Sequence, residues 1–159
     1  METRVDLAVR SWVAVDADVD RAFDVFTHDV GSWWPLDTHS VRAGAGHGRP
    51  DEIRIERWEG GRIYERTGDE VTPWGSVLRW DPPNCIVLEW QVNPHFPPTE
   101  VEVTFTPDGD DTRVDVNHGG WELAGGWGLA ETAREERARY AGKLGWDWVL
   151  GHYAVAVGA

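Results

Sequence analysis

The stretch "TEVEVTFTPDGDDTRVDVNH", residues 99–118, decides the fold of this chain. Two runs of alternating apolar and polar residues flank the turn sequence PDGDD. Val101, Val103 and Phe105 share one side of the first run, and glutamates and a threonine occupy the other side. Alternation with a period of two is typical of a strand that is buried on one face. Because the connection is short and contains glycine, the two runs are predicted to form a β-hairpin.

The same pattern extends through the middle of the chain. EIRIERW and RIYER, within residues 52–66, flank the turn Glu59-Gly60-Gly61, and WGSVLRW and CIVLEWQ, within residues 74–91, flank DPPN. Prolines in a connection favour a turn over strand pairing. The stretch RVDLAVRSWV at the start of the chain alternates in the same way and adds a first strand. The sequence therefore predicts an antiparallel sheet of about seven strands.

Helices are predicted after the first strand and again after the last strand. Asp18 is a typical N-cap residue with apolar residues at helical spacing behind it, so the first of two short helices is predicted to begin there. Gly31 and Pro35 end this helical region, and the glycine-rich segment 36–50 is expected to be a mobile loop. From about residue 130 the chain is predicted to be helical, with an apolar face made of Trp146, Val149, Leu150, Tyr153 and Val157.

These elements predict one α+β domain over residues 1–159, because neither a linker nor an internal repeat divides the chain. The apolar face of a curved sheet must be covered, and the C-terminal helix is the only predicted element long enough to cover it. A strongly curved sheet that wraps around one helix leaves space between the two. Such a space is a natural cavity for a small molecule.

Four segments of the chain resemble a known family. They are ERWEGGRIYER, WGSVLRWDPPNCIVLEW, TEVEVTFTPDGDDTRVDVNHGG and GWDWVLGHY, and they occur in the same order. The segments are similar to the activator of heat-shock-protein-90 ATPase homologues, which belong to the START-like, or SRPBCC, superfamily. The resemblance covers nearly the whole chain and implies the helix-grip fold, in which the sheet wraps around a long C-terminal helix. It also implies the superfamily's common property of binding apolar ligands.

Composition limits the classes of partner. The chain has 28 acidic and 15 basic residues, a formal net charge of −13, which would repel nucleic acid and anionic membranes. No apolar segment approaches the length of a membrane span, and the N-terminal residues do not resemble a signal peptide. We therefore expect no membrane insertion and a cytoplasmic location. Cys85 is the only cysteine in the sequence, which excludes a disulfide framework and a cysteine-based metal site.

Tryptophan is the most unusual feature of the composition, with eleven residues. Tryptophan side chains are large and rarely fully buried, so several should border a cavity or the surface. Trp33, Trp34, Trp121 and Trp127 fall in junctions and loops and are our candidates for a lid. Trp80 is expected to share an inward face with Leu78. The residues predicted to bind the ligand are Trp33, Trp34, Tyr64, Trp90, His118, Trp121, Trp127 and Trp146.

Trp33 and Trp34 are adjacent, which constrains their directions. If the short helix continued through both, they would point about 100° apart. One ring should then anchor the junction in the core, and the other should face the mouth of the cavity.

Motifs for metal binding and catalysis are weak. His39 and His47 share the glycine-rich segment, but their spacing matches no zinc pattern, and we interpret them as solvated; no metal site and no cofactor are predicted. The sequence contains neither GxSxG nor a glycine-rich phosphate loop, so catalytic residues stay unknown. His118, at the end of a strand, is open to three roles: a hydrogen-bonded structural residue, a polar anchor for a ligand, or a general base. The segment ETAREERARY is interpreted as the solvated face of a helix.

Three functions follow from these observations. The first is binding of a small, largely apolar or aromatic molecule between the sheet and the C-terminal helix. The second is an enzyme of the cyclase, aromatase or hydrolase type that uses the same cavity. The third is a protein-interaction or co-chaperone-like module, in which the tryptophan-rich junctions form an exposed patch for a protein partner or a second copy of the chain.

Overall fold

Over residues 7–122 and 130–158, the part of the chain that the computed structural model describes, seven strands form one antiparallel sheet. The sheet is curled, and its order is β1-β7-β6-β5-β4-β3-β2. Strands β2 to β7 follow one another as hairpins, and β1 adds to the edge beside β7. The predicted antiparallel sheet is therefore confirmed. The strands are β1 (Val9–Val15), β2 (Glu52–Ile55), β3 (Arg62–Thr67), β4 (Glu70–Asp81), β5 (Cys85–Trp90), β6 (Thr99–Asp108) and β7 (Asp111–Gly119).

Short helices connect β1 to β2. Helices α1 (Val19–Thr27) and α2 (Val30–Trp33) follow the first strand, as predicted, and Asp18 caps α1 by accepting a hydrogen bond from the Arg21 amide at 2.9 Å. The segment predicted as a loop also contains a one-turn helix, α3 (Val41–Gly44). The Ser40 side chain caps α3, a signal that the glycines around it obscured.

The C-terminal region consists of two helices, α4 (Ala130–Ala141) and α5 (Trp146–Gly158). Gly145 lies at the break between them, where a Cβ atom would overlap the carbonyl oxygen of Tyr140. Helix α5 packs on β1 and α1, and the Tyr153 hydroxyl donates to the Ala22 carbonyl at 2.6 Å. The α+β helix-grip fold is confirmed, with a C-terminal helical region that bends at residues 142–145.

The core lies between the concave face of the sheet and helices α1, α2 and α5. Val101, Val103 and Phe105 are buried there, as their alternation predicts. All five residues of the predicted apolar helix face are buried as well: Trp146, Val149, Leu150, Tyr153 and Val157.

A bulge in β4 overturns one detail of the predicted faces. The pairing of β4 with β5 shifts register between Val77 and Arg79, so Leu78 and Trp80 do not continue one face. Leu78 is exposed, whereas the Trp80 ring packs inward on Phe23 at a centroid distance of 5.1 Å. The expectation that Trp80 and Leu78 share an inward face is therefore wrong.

Candidate ligand-binding site

A cavity of about 610 Å³ lies where the sheet, the segment after α2 and the α4–α5 junction meet. Its lining comes from four parts of the chain, within residues 34–45, 90–95, 136–140 and 144–149. The bend between α4 and α5 sets one wall, because Leu144 and Gly145 belong to the lining.

Three tryptophans that the sequence predicts to bind ligand meet at this cavity. Trp34, Trp90 and Trp146 all belong to its lining. Their ring centroids are 5.5 to 5.9 Å apart, in tilted or edge-to-face arrangements that aromatic rings prefer. Trp74 packs behind Trp34 and Trp90 and completes the cluster. The cavity therefore has an aromatic floor.

The two adjacent tryptophans lie in different surroundings. Helix α2 ends at Trp33, and the backbone of Trp34 is extended, so the directions of the rings come from a turn and not from a continuous helix. The Trp33 ring packs between Phe26 and Tyr153, and its indole N–H donates to the Val25 carbonyl at 2.8 Å. Only Trp34 borders the cavity.

His118 lies behind the aromatic floor and not in the cavity lining. The Trp146 indole N–H donates to His118 Nδ1 at 3.1 Å, so Nε2 carries the proton of the neutral ring and donates to Thr99 Oγ1 at 2.6 Å. The Thr99 hydroxyl in turn donates to the Trp90 carbonyl at 3.3 Å. Burial lowers the pKa of His118 to about 3. This chain of hydrogen bonds engages both ring nitrogens of a neutral histidine, and it holds Trp146 to the strand of Trp90.

One polar wall of the cavity comes from α4, which the sequence interpretation assigned to solvent. Glu136 is 6% exposed and Tyr140 is half-buried, and both line the cavity, so the solvated-face interpretation of ETAREERARY is wrong for this side of the helix. The Trp90 indole N–H donates to the Tyr140 hydroxyl at 3.0 Å, and burial raises the pKa of Tyr140 to about 12. Charged neighbours hide this inward face in the sequence. The spacing of Ala133, Glu136 and Tyr140, at three and four residues, is the signal that could have shown it.

The segment between α2 and α3 is fixed to the rest of the site. His39, one of the two histidines interpreted as solvated, is half-buried, and its Nε2 lies 2.6 Å from the Leu144 carbonyl oxygen. Its ring packs on Trp148 at a centroid distance of 4.8 Å. The Trp34 indole N–H also donates to the His39 carbonyl at 2.7 Å. His39 therefore connects the cavity rim to the α4–α5 junction, and the interpretation as a solvated residue is wrong.

Buried Glu65 fixes the same segment from the sheet. Its carboxylate accepts hydrogen bonds from the Val41 and Arg42 amides at 2.6 and 3.1 Å, which begin helix α3. It also accepts from the Trp74 indole N–H at 2.7 Å. One carboxylate thus links α3, β3 and the aromatic cluster. Sequence reasoning missed Glu65, because it occupies an ordinary position in an alternating strand.

Two of the remaining predicted ligand residues, Tyr64 and Trp121, lie away from the cavity. Tyr64 lies on the sheet face opposite Ile63, with the Arg62 guanidinium 5.0 Å above its ring. Trp121 is buried beside Phe96, and its indole N–H donates to the His118 carbonyl at 2.9 Å. Trp127 lies outside the described residues.

The tryptophan-rich junction is not an exposed patch. Trp33 and Trp34 are only 5% and 8% exposed, because they pack on the core and on the aromatic floor. Trp121 is buried too. The exposed tryptophans among the described residues, Trp12 and Trp58, lie elsewhere on the surface. The patch expected for an interaction module is therefore contradicted at these three positions.

Residues 7–122 and 130–158 contain no group of three or more histidine, cysteine, aspartate or glutamate side chains placed to hold a metal ion. Within the same ranges, none of the helices combines the length and apolar character needed to cross a bilayer.

A curled antiparallel sheet, a C-terminal helix across its concave face and a cavity between them define a helix-grip domain. The sequence profile of the family described as activator of Hsp90 ATPase homolog 1-like protein matches residues 16–152. The chain belongs to this family. A comparison with curated proteins gave no match.

Solved structures share the architecture. The anthrahydroquino-gamma-pyrone synthase Txn09, in complex with SUM, is 29% identical over 93% of this chain and 95% of its own, with a TM-score of 0.60. A protein from Nitrosomonas europaea is 14% identical over 98% and 97% of the two chains, with a TM-score of 0.62. The Aha1 dimer from Colwellia psychrerythraea is 14% identical over 83% and 94%, with a TM-score of 0.51. The last two likenesses concern the fold alone.

Proposed function

We propose that this chain binds a small, largely apolar aromatic molecule in the cavity between the sheet and the C-terminal helices. The observation that carries the proposal is the aromatic floor of Trp34, Trp90 and Trp146 beneath a cavity of about 610 Å³. This volume falls within the range of about 300 to 1,000 Å³ that is usual for small-molecule sites. Burial of apolar area and stacking on the indole rings would supply the affinity.

The experiment that tests this function is titration with an aromatic probe. We expect the methyl ether of β-naphthol to bind saturably, measured by isothermal titration calorimetry. Trp34→Ala should weaken binding by about 1 kcal/mol or more, since it removes an aromatic contact at the floor. Trp12→Ala is the matched control, because Trp12 is 58% exposed and lies outside the cavity lining. Absence of saturable binding, or equal weakening by both variants, would contradict the proposal.

A second candidate function is an enzyme of the cyclase type that uses the same cavity. The likeness at 29% identity to a synthase over nearly the full chain favours this candidate, together with the carboxylate and the phenol that line one wall. Conversion of a bound compound, followed by mass spectrometry, would separate catalysis from binding. Loss of that conversion in Glu136→Gln with retained affinity would assign the chemistry to this wall.

A further inference from the structure

The charged and phenolic groups of the cavity are concentrated on α4, which contributes Glu136, Arg139 and Tyr140. Glu136 and Tyr140 are four residues apart, so they lie on the same helix face in successive turns. Their Cβ atoms are then about 5–6 Å apart. A carboxylate and a phenol therefore stand side by side above a floor of tryptophans.

The carboxylate of Glu136 has unused hydrogen-bonding capacity. Its Oε1 accepts from Asn93 Nδ2 at 2.9 Å and lies 3.6 Å from an Arg139 guanidinium nitrogen. Within the described ranges, no donor bonds to the other oxygen, Oε2. A carboxylate oxygen can accept more than one hydrogen bond, so Oε2 keeps its accepting capacity. A donor on the ligand would satisfy Oε2.

Tyr140 has an unused hydrogen-bond donor. Its hydroxyl oxygen accepts from the Trp90 indole at 3.0 Å, and no residue in the described part of the chain accepts its hydrogen. The buried phenol stays protonated at neutral pH, so this hydrogen is available to a ligand. An oxygen atom on the ligand would satisfy Tyr140.

We propose that the ligand of this cavity carries an aromatic hydroxyl group that donates to Glu136 Oε2 and accepts from the Tyr140 hydroxyl. One hydroxyl has both a hydrogen and free lone pairs, so it can bridge the two side chains. A neutral donor fits better than an ammonium group, because the Arg139 guanidinium already places a positive charge beside the carboxylate. This inference rests on the proposed function and names the chemical class of its ligand: a phenol or naphthol.

The test compares β-naphthol with its methyl ether, which has the same rings and no hydroxyl hydrogen. We expect the wild-type protein to bind β-naphthol about tenfold more tightly, measured by isothermal titration calorimetry at neutral pH. In Glu136→Gln the ratio should fall to about twofold or less, while the affinity for the ether stays within about twofold. Tyr140→Phe should weaken the binding of both probes and leave the ratio near tenfold, because the ether oxygen also accepts from the Tyr140 hydroxyl.

Glu135→Gln is the matched control, because Glu135 is the exposed neighbour of Glu136 on the same helix. It should keep the tenfold ratio. The affinity of the two glutamate variants for the methyl ether reports whether their cavities are still folded. Equal affinity of the wild-type protein for both probes, or an unchanged ratio in Glu136→Gln, would overturn this inference and leave the proposed function standing. If neither probe bound, both would be wrong.

Discussion

At the scale of single residues, Trp33 and Trp34 show how the end of one helix separates two roles. The chain leaves α2 after Trp33, so the Trp33 ring stays among Phe26 and Tyr153 while the Trp34 ring joins the cavity floor. The sequence predicts that the two rings diverge, but it attributes the divergence to a continuous helix. Trp33 anchors the junction in the core, as expected, but Trp34 lies on the cavity floor and not at its mouth.

We expect Trp33→Ala and Trp34→Ala to differ in binding. Trp33→Ala should lower the free energy of unfolding by about 3–5 kcal/mol, the usual cost of truncating a buried aromatic residue, without changing probe affinity. Trp34→Ala should lower both stability and affinity, because its ring belongs to the core and to the floor. Urea denaturation and calorimetry on the folded proteins measure the two effects. Unchanged affinity in Trp34→Ala would mean that this ring does not contact the ligand.

His118 gives a prediction about pH. Burial lowers its pKa to about 3 in the folded protein, against an ordinary value of 6.5 in the unfolded chain. Between these values the unfolded chain binds a proton that the folded protein does not bind. The contribution of His118 to stability is therefore complete above about pH 6.5 and falls as the pH drops towards 3, by up to about 1.4 kcal/mol per pH unit.

His118→Gln should remove this dependence, since glutamine does not titrate. Carboxylates also titrate in this range, so the measurement is the difference between the wild-type and variant unfolding free energies from pH 7.5 to pH 4. We expect that difference to shrink as the pH falls. A difference that stays constant with pH would show that His118 is protonated as readily in the folded protein as in the unfolded chain.

At the scale of elements, α4 has an inward face that the hydrophobic pattern of the sequence does not identify. Period-two alternation predicts the strands well, because alternate residues are buried from Thr99 to Phe105 in β6 and from Thr112 to His118 in β7. The inward side of α4 carries Glu136 and Tyr140, and charged residues surround them on the helix. An amphipathic pattern identifies the inward face of a helix by its apolar residues, so a buried carboxylate is not recognised as inward. The spacing of Ala133, Glu136 and Tyr140 is therefore the one sequence signal for this polar wall.

Glu65 is expected to stabilise the protein through its hydrogen bonds to α3. Its buried carboxylate holds the first amides of α3 and the Trp74 indole, and hydrogen bonds to charged groups are stronger than neutral ones. Glu65→Gln should lower the free energy of unfolding by roughly 1.5–3 kcal/mol. Glu100→Gln, at an exposed position of β6, is the control and should change it by less than about 0.5 kcal/mol. Equal effects of the two substitutions would contradict a special role for Glu65.

At the scale of the whole molecule, the curvature of the sheet and the break between α4 and α5 together form the cavity. The sequence predicts the sheet, its covering helix and a space between them, because these follow from alternation and from the need to bury an apolar face. It also identifies Trp34, Trp90 and Trp146 as candidates at this space. It does not predict the bend at residues 142–145 or the contact of His39 with Leu144, which close the cavity by long-range packing.

Because the cavity lies between the sheet and the C-terminal helices, a ligand should stabilise the whole domain. A probe at about one hundred times its dissociation constant adds about 2.7 kcal/mol to the free energy of unfolding, which corresponds to a melting temperature roughly 5–10 °C higher. Local protection should be uneven. Amide hydrogen exchange should slow in residues 38–45 and 142–146, which border or adjoin the cavity, and stay unchanged in the β6–β7 turn, which contributes no lining residue. Equal slowing in that turn, or none in residues 38–45, would place the probe outside this cavity.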